Sequence, residues 1–332
     1  MSIPVIAFFN NKGGVGKTSM VYHLAWMFSD RGLRVIATDL DPQSNLTAAF
    51  LDEDRLEKIM SSDGYPRTVF GSVKPLTDAT GDISTPHVEI ISDRLGLIPG
   101  DMALSTFEDD LSEVWPKCLD GDPRAFRITS AFWRLAQDAG EAHQADVILF
   151  DLGPNLGAIN RASLIASDFV VIPLGPDLFS LQGLRNLGPA LRVWRQGWQK
   201  RRGADPPSEL ELPKGSIEPI GYMVLRHSIR LDRPVKAFER WIARIPGTYA
   251  EAVLADPNPT VATIDQDPNC IAKLKDYRSL MPLAQEARKP MFFLKPADGA
   301  LGAHTHAVSD AYRDFKKLAA AIAAKARLPQ IA

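Results

Sequence analysis

Between residues 4 and 19 an apolar run gives way to a cluster of glycines, and this change restricts the fold more than any other feature of the chain. Pro4-Val5-Ile6-Ala7-Phe8-Phe9 reads as a strand buried on both faces. Lys12-Gly13-Gly14-Val15-Gly16-Lys17-Thr18-Ser19 follows. Glycines let the backbone curl there, so that successive N–H groups point at one anion. A helix opening directly behind adds its partial positive charge. The spacing places Lys17 to reach the β/γ-phosphates of a nucleotide and the Thr18 hydroxyl to bind Mg²⁺. The usual form of such a loop is Gly, four residues, Gly-Lys-Ser/Thr. This loop departs from it at the start and carries a second lysine, Lys12. Lys12 stands too far from its own β/γ-phosphates to duplicate Lys17, and is expected to reach the nucleotide of a neighbouring subunit.

Behind the loop, Val21, Leu24, Ala25 and Phe28 recur at helical spacing, Gly32 ends the helix, and 33–38 reads as a second strand. Strand, loop, helix and strand within about forty residues is a βαβ unit, which implies a parallel sheet covered on both faces. Further strands are expected at 88–91, 95–100, 146–151, 169–174 and 220–225. Helices are expected over 126–143 and 159–166, with a closing helix at about 305–327. The fold class is therefore α/β, a doubly wound and mostly parallel sheet with helices on both faces. Residues 1–332 are expected to form a single domain, with an irregular elaboration at about 52–125. Asp39 and Asp41 end the second strand and Asp151 ends the apolar run 147–150. All three belong at the carboxyl edge, where such sheets bind ligands.

Composition excludes some classes. A net charge of −2 over 332 residues gives no global attraction to nucleic acid, so any such binding rests on a local patch. Cys118 and Cys270 have no partner at ligand spacing, which points to ordinary thiols in a reducing compartment. No leader and no membrane-spanning run is read, and the expected location is the cytoplasm.

These motifs resemble the ParA/MinD family of deviant Walker ATPases. The resemblance is carried by residues 12–18, Asp39-Leu40-Asp41-Pro42-Gln43, Asp151-Leu152-Gly153-Pro154-Asn155-Leu156-Gly157, 171–184 and Ala287-Arg288-Lys289-Pro290-Met291-Phe292-Phe293. Asp-Pro-Gln and the Phe-Ser-Leu-Gln-Gly-Leu run favour the ParA (Soj-like) branch. The resemblance implies a P-loop ATPase fold that takes ATP and Mg²⁺, with residues 12–19 as the phosphate cradle. It assigns Lys12 to the partner's phosphates across a nucleotide-sandwich homodimer and Lys17 to the β/γ-phosphates. Asp41 positions the attacking water, and Thr18, Asp39 and Asp151 serve the metal, Asp39 alternatively supporting the loop. Arg226 and Pro290 are the candidates for base contact. The family commonly has Asp-Thr-Pro-Pro where this chain has Asp-Leu-Gly-Pro, a departure on a nucleotide-responsive switch.

Residues 185–202 hold six cations and no acid, with Trp194 and Trp198 interleaved. By resemblance, Arg192, Arg195, Lys200, Arg201 and Arg202 are expected to grip DNA phosphates without reading sequence. The alternative is a solvated amphipathic helix with core tryptophans. The implied cycle is slow: ATP closes the dimer, DNA is bound non-specifically, and a ParB-like activator stimulates hydrolysis. The protein would then be nucleoid-associated. Two other readings are a regulatory or defence-associated switch without partition and a MinD-like membrane-positioning ATPase. The latter needs an amphipathic anchor that the alanine-rich tail does not supply, so no membrane partner is expected.

Overall fold

Val5, Ala7 and Phe9 point to one face of the sheet and Ile6 and Phe8 to the other, and both sets are fully buried. The first strand is thus central, with a core on each side. The computed structural model describes residues 2–331 except 62–65, 226–234, 260–262, 276, 278–279 and 301, and gives the backbone alone for 235–238 and 303.

Among the described residues the strands are β1 (Val5–Phe8), β2 (Val35–Asp39), β3 (Glu89–Ser92), β4 (Leu95–Ile98), β5 (Val147–Asp151), β6 (Phe169–Leu174), β7 (Glu218–Leu225) and β8 (Cys270–Leu274). They form one sheet in the order β3-β4-β2-β5-β1-β6-β7-β8. Every pairing is parallel except β3 with β4. The helices are α1 (Lys17–Asp30), α2 (Asn45–Phe50), α3 (Glu53–Met60), α4 (Val69–Thr77), α5 (Phe107–Lys117), α6 (Pro123–Thr129), α7 (Ala131–Ala142), α8 (Ala158–Ile165), α9 (Leu178–Arg202), α10 (Val235–Ile242), α11 (Ile245–Ala252), α12 (Met281–Ala287) and α13 (Ala303–Lys325). Residues from α4 to α9 and α11 pack on the Val5 face. Those from α1 to α3, α12 and α13 pack on the Ile6 face. This is the doubly wound, mostly parallel sheet that the βαβ unit implies.

Three details differ from the sequence reading. The helix expected over 126–143 is two, because Ser130 takes φ −91° and ψ 0° and its hydroxyl donates to Phe126 O at 2.7 Å. Strand β8 was not anticipated; its pattern is only partly buried, as befits an edge. Within 52–125, the loops with short helices expected over 52–90 hold α3 and α4, and the unanticipated elements are α5 and the first residues of α6.

Candidate nucleotide-binding site

Parallel register brings the site together. Phe8 and Asp39 both lie opposite Asp151, so the segments leaving β1, β2 and β5 open onto one edge. Gly14 and Gly16 take φ of +71° and +83°, the left-handed region that glycine enters freely. Gly16 is the N-cap of α1, and no side chain caps that helix. Its first N–H groups are therefore left for an anion. A cavity of about 650 Å³ lies against the loop, lined by residues 13–19, Asp41 and Gln43.

Lys17 is buried, with Nζ donating to Asn10 O at 3.1 Å and Lys12 O at 3.3 Å. Burial pulls its pKa down, opposed by Asp151 and Asp41. Asp151 is fully buried, and neither of its carboxylate oxygens has a well-formed hydrogen bond, although the Thr18 hydroxyl stands close enough to favour its charged form. Burial, then the neighbouring Asp39, pushes it well above the usual carboxylate range. An orphaned buried carboxylate beside a lysine and a phosphate loop fits Mg²⁺, which takes one or two carboxylates and completes its shell with water and phosphate oxygens. Among the described residues no group of three or more His, Cys, Asp or Glu could hold a metal ion.

Asp39 is placed differently. Its Oδ2 accepts from Thr47 N at 2.8 Å and Thr47 Oγ1 at 2.7 Å, and its Oδ1 from Asp41 N at 3.3 Å. These bonds favour the loop-supporting role over a metal ligand. Burial pushes its pKa up to about 6. Asp41 lines the cavity, with Oδ1 accepting from Gln43 N at 3.0 Å.

Lys12, unlike Lys17, is not among the residues that line the cavity. Its Nζ donates to Asp177 Oδ2 at 2.5 Å and stands 5.9 Å from the Phe179 ring centre. Asp177 also caps α9, accepting from Ser180 N at 3.0 Å.

Of the base-contact candidates, Arg226 lies outside the described residues, and Pro290 is buried beside a neighbouring cavity with Trp26 and Phe293. The far wall of the nucleotide cavity comes instead from Tyr22 and His23 on α1 and from Met281, Ala284 and Gln285 on α12. Nothing in the sequence marked α12, which is short and carries no motif. His23 is fully buried: its Nδ1–H donates to Ser19 O at 2.7 Å and its Nε2 accepts from Met291 N at 3.2 Å. Burial pulls its pKa down to about 4.

The five DNA candidates separate. Arg192 donates to Ala252 O at 2.6 Å and Arg195 to Ile217 O. Arg201 is buried, donating to Trp115 O at 2.7 Å and Gly197 O at 2.9 Å, with its guanidinium 3.8 Å from the Trp115 ring centre. The expectation that all five face DNA is corrected to this extent: these three guanidiniums engage carbonyls of the chain itself. Lys200 and Arg202 are exposed. No helix among the described residues is long and apolar enough to cross a membrane.

Residues 3–200 match the AAA domain family. Protein IncC of Escherichia coli is 32% identical over 192 residues, 56% of this chain and 45% of that one. The sporulation initiation inhibitor protein Soj of Bacillus subtilis is 30% identical over 189 residues, 57% of this chain and 65% of that one. The chain thus spans about half the length of the curated relatives it matches. In fold it is similar to McdA of Cyanothece, solved as a variant in complex with ATP, at a TM-score of 0.63 and 16% identity, with 100% of this chain and 99% of that one covered. A phosphate loop with a second lysine, an orphaned strand-end aspartate and these relatives together place the chain in the ParA/MinD family of P-loop ATPases, in its ParA branch.

Proposed function

We propose that the protein is an ATP-driven switch of the ParA type, which closes as a homodimer over two nucleotides and is reset by slow hydrolysis. The single observation that carries this reading is the pairing of a buried, cavity-lining Lys17 with a Lys12 outside that lining, partly exposed and paired with Asp177. In this reading one lysine serves the nucleotide of its own chain and the other serves that of a second chain. Residues follow the carboxyl ends of β4, β5 and β6 there with large exposed apolar side chains, Met102, Leu156, Leu178 and Phe179, the last 70% exposed. That is an apolar rim of the kind that a second copy covers.

The chain's own groups account for the chemistry. Residues 13–19 bind and orient the polyphosphate, and Lys17 compensates its charge. Thr18 and Asp151 would hold Mg²⁺, which would neutralise charge on the polyphosphate. Asp41 orients a water toward the γ-phosphate. Lys12 of each chain reaches the phosphates of the other, so that hydrolysis depends on assembly. DNA binding through Lys200 and Arg202, and reset by a ParB-like activator, complete the reading for a nucleoid-associated protein.

The engagement of Arg192, Arg195 and Arg201 inside the chain supports a second reading, a regulatory switch of the same kind without DNA. Lys12→Ala should bind MgATP within about threefold of wild type while losing at least tenfold in hydrolysis and failing to form the ATP dimer by light scattering. Wild-type hydrolysis in that variant would refute the intersubunit role. Titration of duplex binding with salt, in ATP and in ADP, separates the two readings: ATP-dependent binding that weakens steeply with salt supports the first, and absent binding the second.

A further inference from the structure

The segment leaving Asp151 is where this chain departs from its family, and it is held from an unexpected direction. Leu152 is fully buried, and a Cβ built on Gly153 would stand 3.3 Å from Asp41 Oδ1. The backbone at 153 is therefore packed against Asp41, and Pro154 beside it lines the cavity. Asn160 steadies this loop from within, its Nδ2 donating to Gly153 O at 3.0 Å and Asn155 O at 2.7 Å. The loop then enters α8 through Gly157, an N-cap without a side chain. Its first N–H groups would lack partners. Glu108 on α5 supplies them: its carboxylate accepts from Ala158 N and, at 2.8 Å, from Ile159 N. The same helix holds α8 a turn further on. Arg161 donates to Leu111 O at 3.0 Å and lies 4.5 Å from the Trp115 ring centre.

We infer that Glu108 is a positioning residue for hydrolysis, clamping the start of α8 so that the 152–157 loop keeps Asp41 aligned. The inference rests on the reading of the crevice as an ATPase site. A cap inside its own helix stabilises that helix alone. A cap donated by α5 also fixes where the loop lies relative to the rest of the crevice, because the carboxylate is anchored in another element. Losing a helix cap shifts the local equilibrium about fivefold. A displacement of about 1 Å at a catalytic group lowers the rate by as much as about a hundredfold. Turnover, rather than nucleotide affinity, is what Glu108 controls.

The test compares wild type, Glu108→Ala, Glu108→Gln and Asp122→Ala in single-turnover MgATP hydrolysis and in calorimetric MgATP binding. Asp122 caps α6 through Arg124 N and Ala125 N, so its loss matches the loss of a cap without touching the loop. Glu108→Ala should slow hydrolysis about tenfold or more with affinity within about twofold. Glu108→Gln keeps an accepting oxygen and should recover to within about threefold of wild type. Asp122→Ala should lose thermal stability as Glu108→Ala does, yet hydrolyse like wild type. Wild-type turnover in Glu108→Ala, a parallel fall in rate and affinity, or an equal slowing in Asp122→Ala would each overturn the inference. Should Glu108→Ala not fold, Asn160→Ala frees the same loop from its other side and must show the same loss confined to rate; a wild-type rate there overturns it too. A wild-type protein that binds or hydrolyses no ATP would instead remove the ATPase reading, and this inference with it.

Discussion

Two stretches of this chain carry closely spaced cations, residues 12–17 and residues 185–202, and the fold treats them in opposite ways. In the first, Lys17 is buried facing Asp151 and Asp41 beside uncapped N–H groups of α1. In the second, three of the arginines close the chain's own backbone. Ala252 and Trp115 lie in the last turns of α11 and α5, where carbonyls have no partner within the helix. Arg192 and Arg201 supply those partners. A run of cations thus says little about a polyanion until the nearby unpaired carbonyls are known. A glycine loop entering a helix is different, because its N–H groups have nothing local to bond.

The sharpest way to break this contrast is at its first member. Lys17→Ala should lower MgATP affinity by about a thousandfold in calorimetry, since its charge is aimed at the phosphates in a buried site. Unchanged affinity would make Lys17 no more functional than Arg201. Next in size is a pH effect behind the loop. His23 is buried neutral with its pKa near 4, below the value of about 6.5 expected unfolded. Between those values the unfolded chain holds more protons. The stabilisation is therefore full above about pH 6.5 and lost as pH falls toward 4, by roughly 3 kcal/mol. Denaturant melts of wild type and His23→Gln should converge as the pH is lowered; curves that stay parallel would show that His23 titrates normally.

The second member is tested by Arg201→Ala, which should destabilise the fold by about 2 kcal/mol in urea, through lost bonds to carbonyls and a lost cation–π contact. Its effect on the salt dependence of duplex binding should be nil. An unaltered stability with a reduced salt slope would reverse its assignment. Smallest of all, Lys200→Ala and Arg202→Ala should leave stability within about 0.5 kcal/mol. In the DNA-binding reading, each should lower the log–log salt slope by about 0.9. Slopes equal to wild type would remove α9 from that interface.

Legibility followed the same physics. β1, β2 and β5 were readable because buried parallel strands are continuous apolar runs, and Asp39 and Asp151 were readable because they end them. Ser130 split an expected helix by a hydroxyl-to-carbonyl bond that periodicity does not register. α5 was missed although its first turn carries Glu108, Asp109 and Asp110; it lies among prolines and glycines, and its apolar positions match a groove against α6 and α8 rather than the sheet. α12 has seven residues and two apolar neighbours of the cavity, too little pattern to announce a nucleotide wall.

The sequence by itself determined the phosphate loop, the parallel sheet behind it and the three carboxylates at its edge. Each of these follows from bonds and burial within a few residues, where composition and conformation are tightly linked. Only the tertiary structure decided that Asp39 ties down a loop, that Lys12 rests on Asp177, that three of the five α9 arginines bond carbonyls of the chain, and that Glu108 caps α8 from 50 residues away. A charged group's partner is set by what distant segments leave unpaired beside it, and no local pattern encodes that.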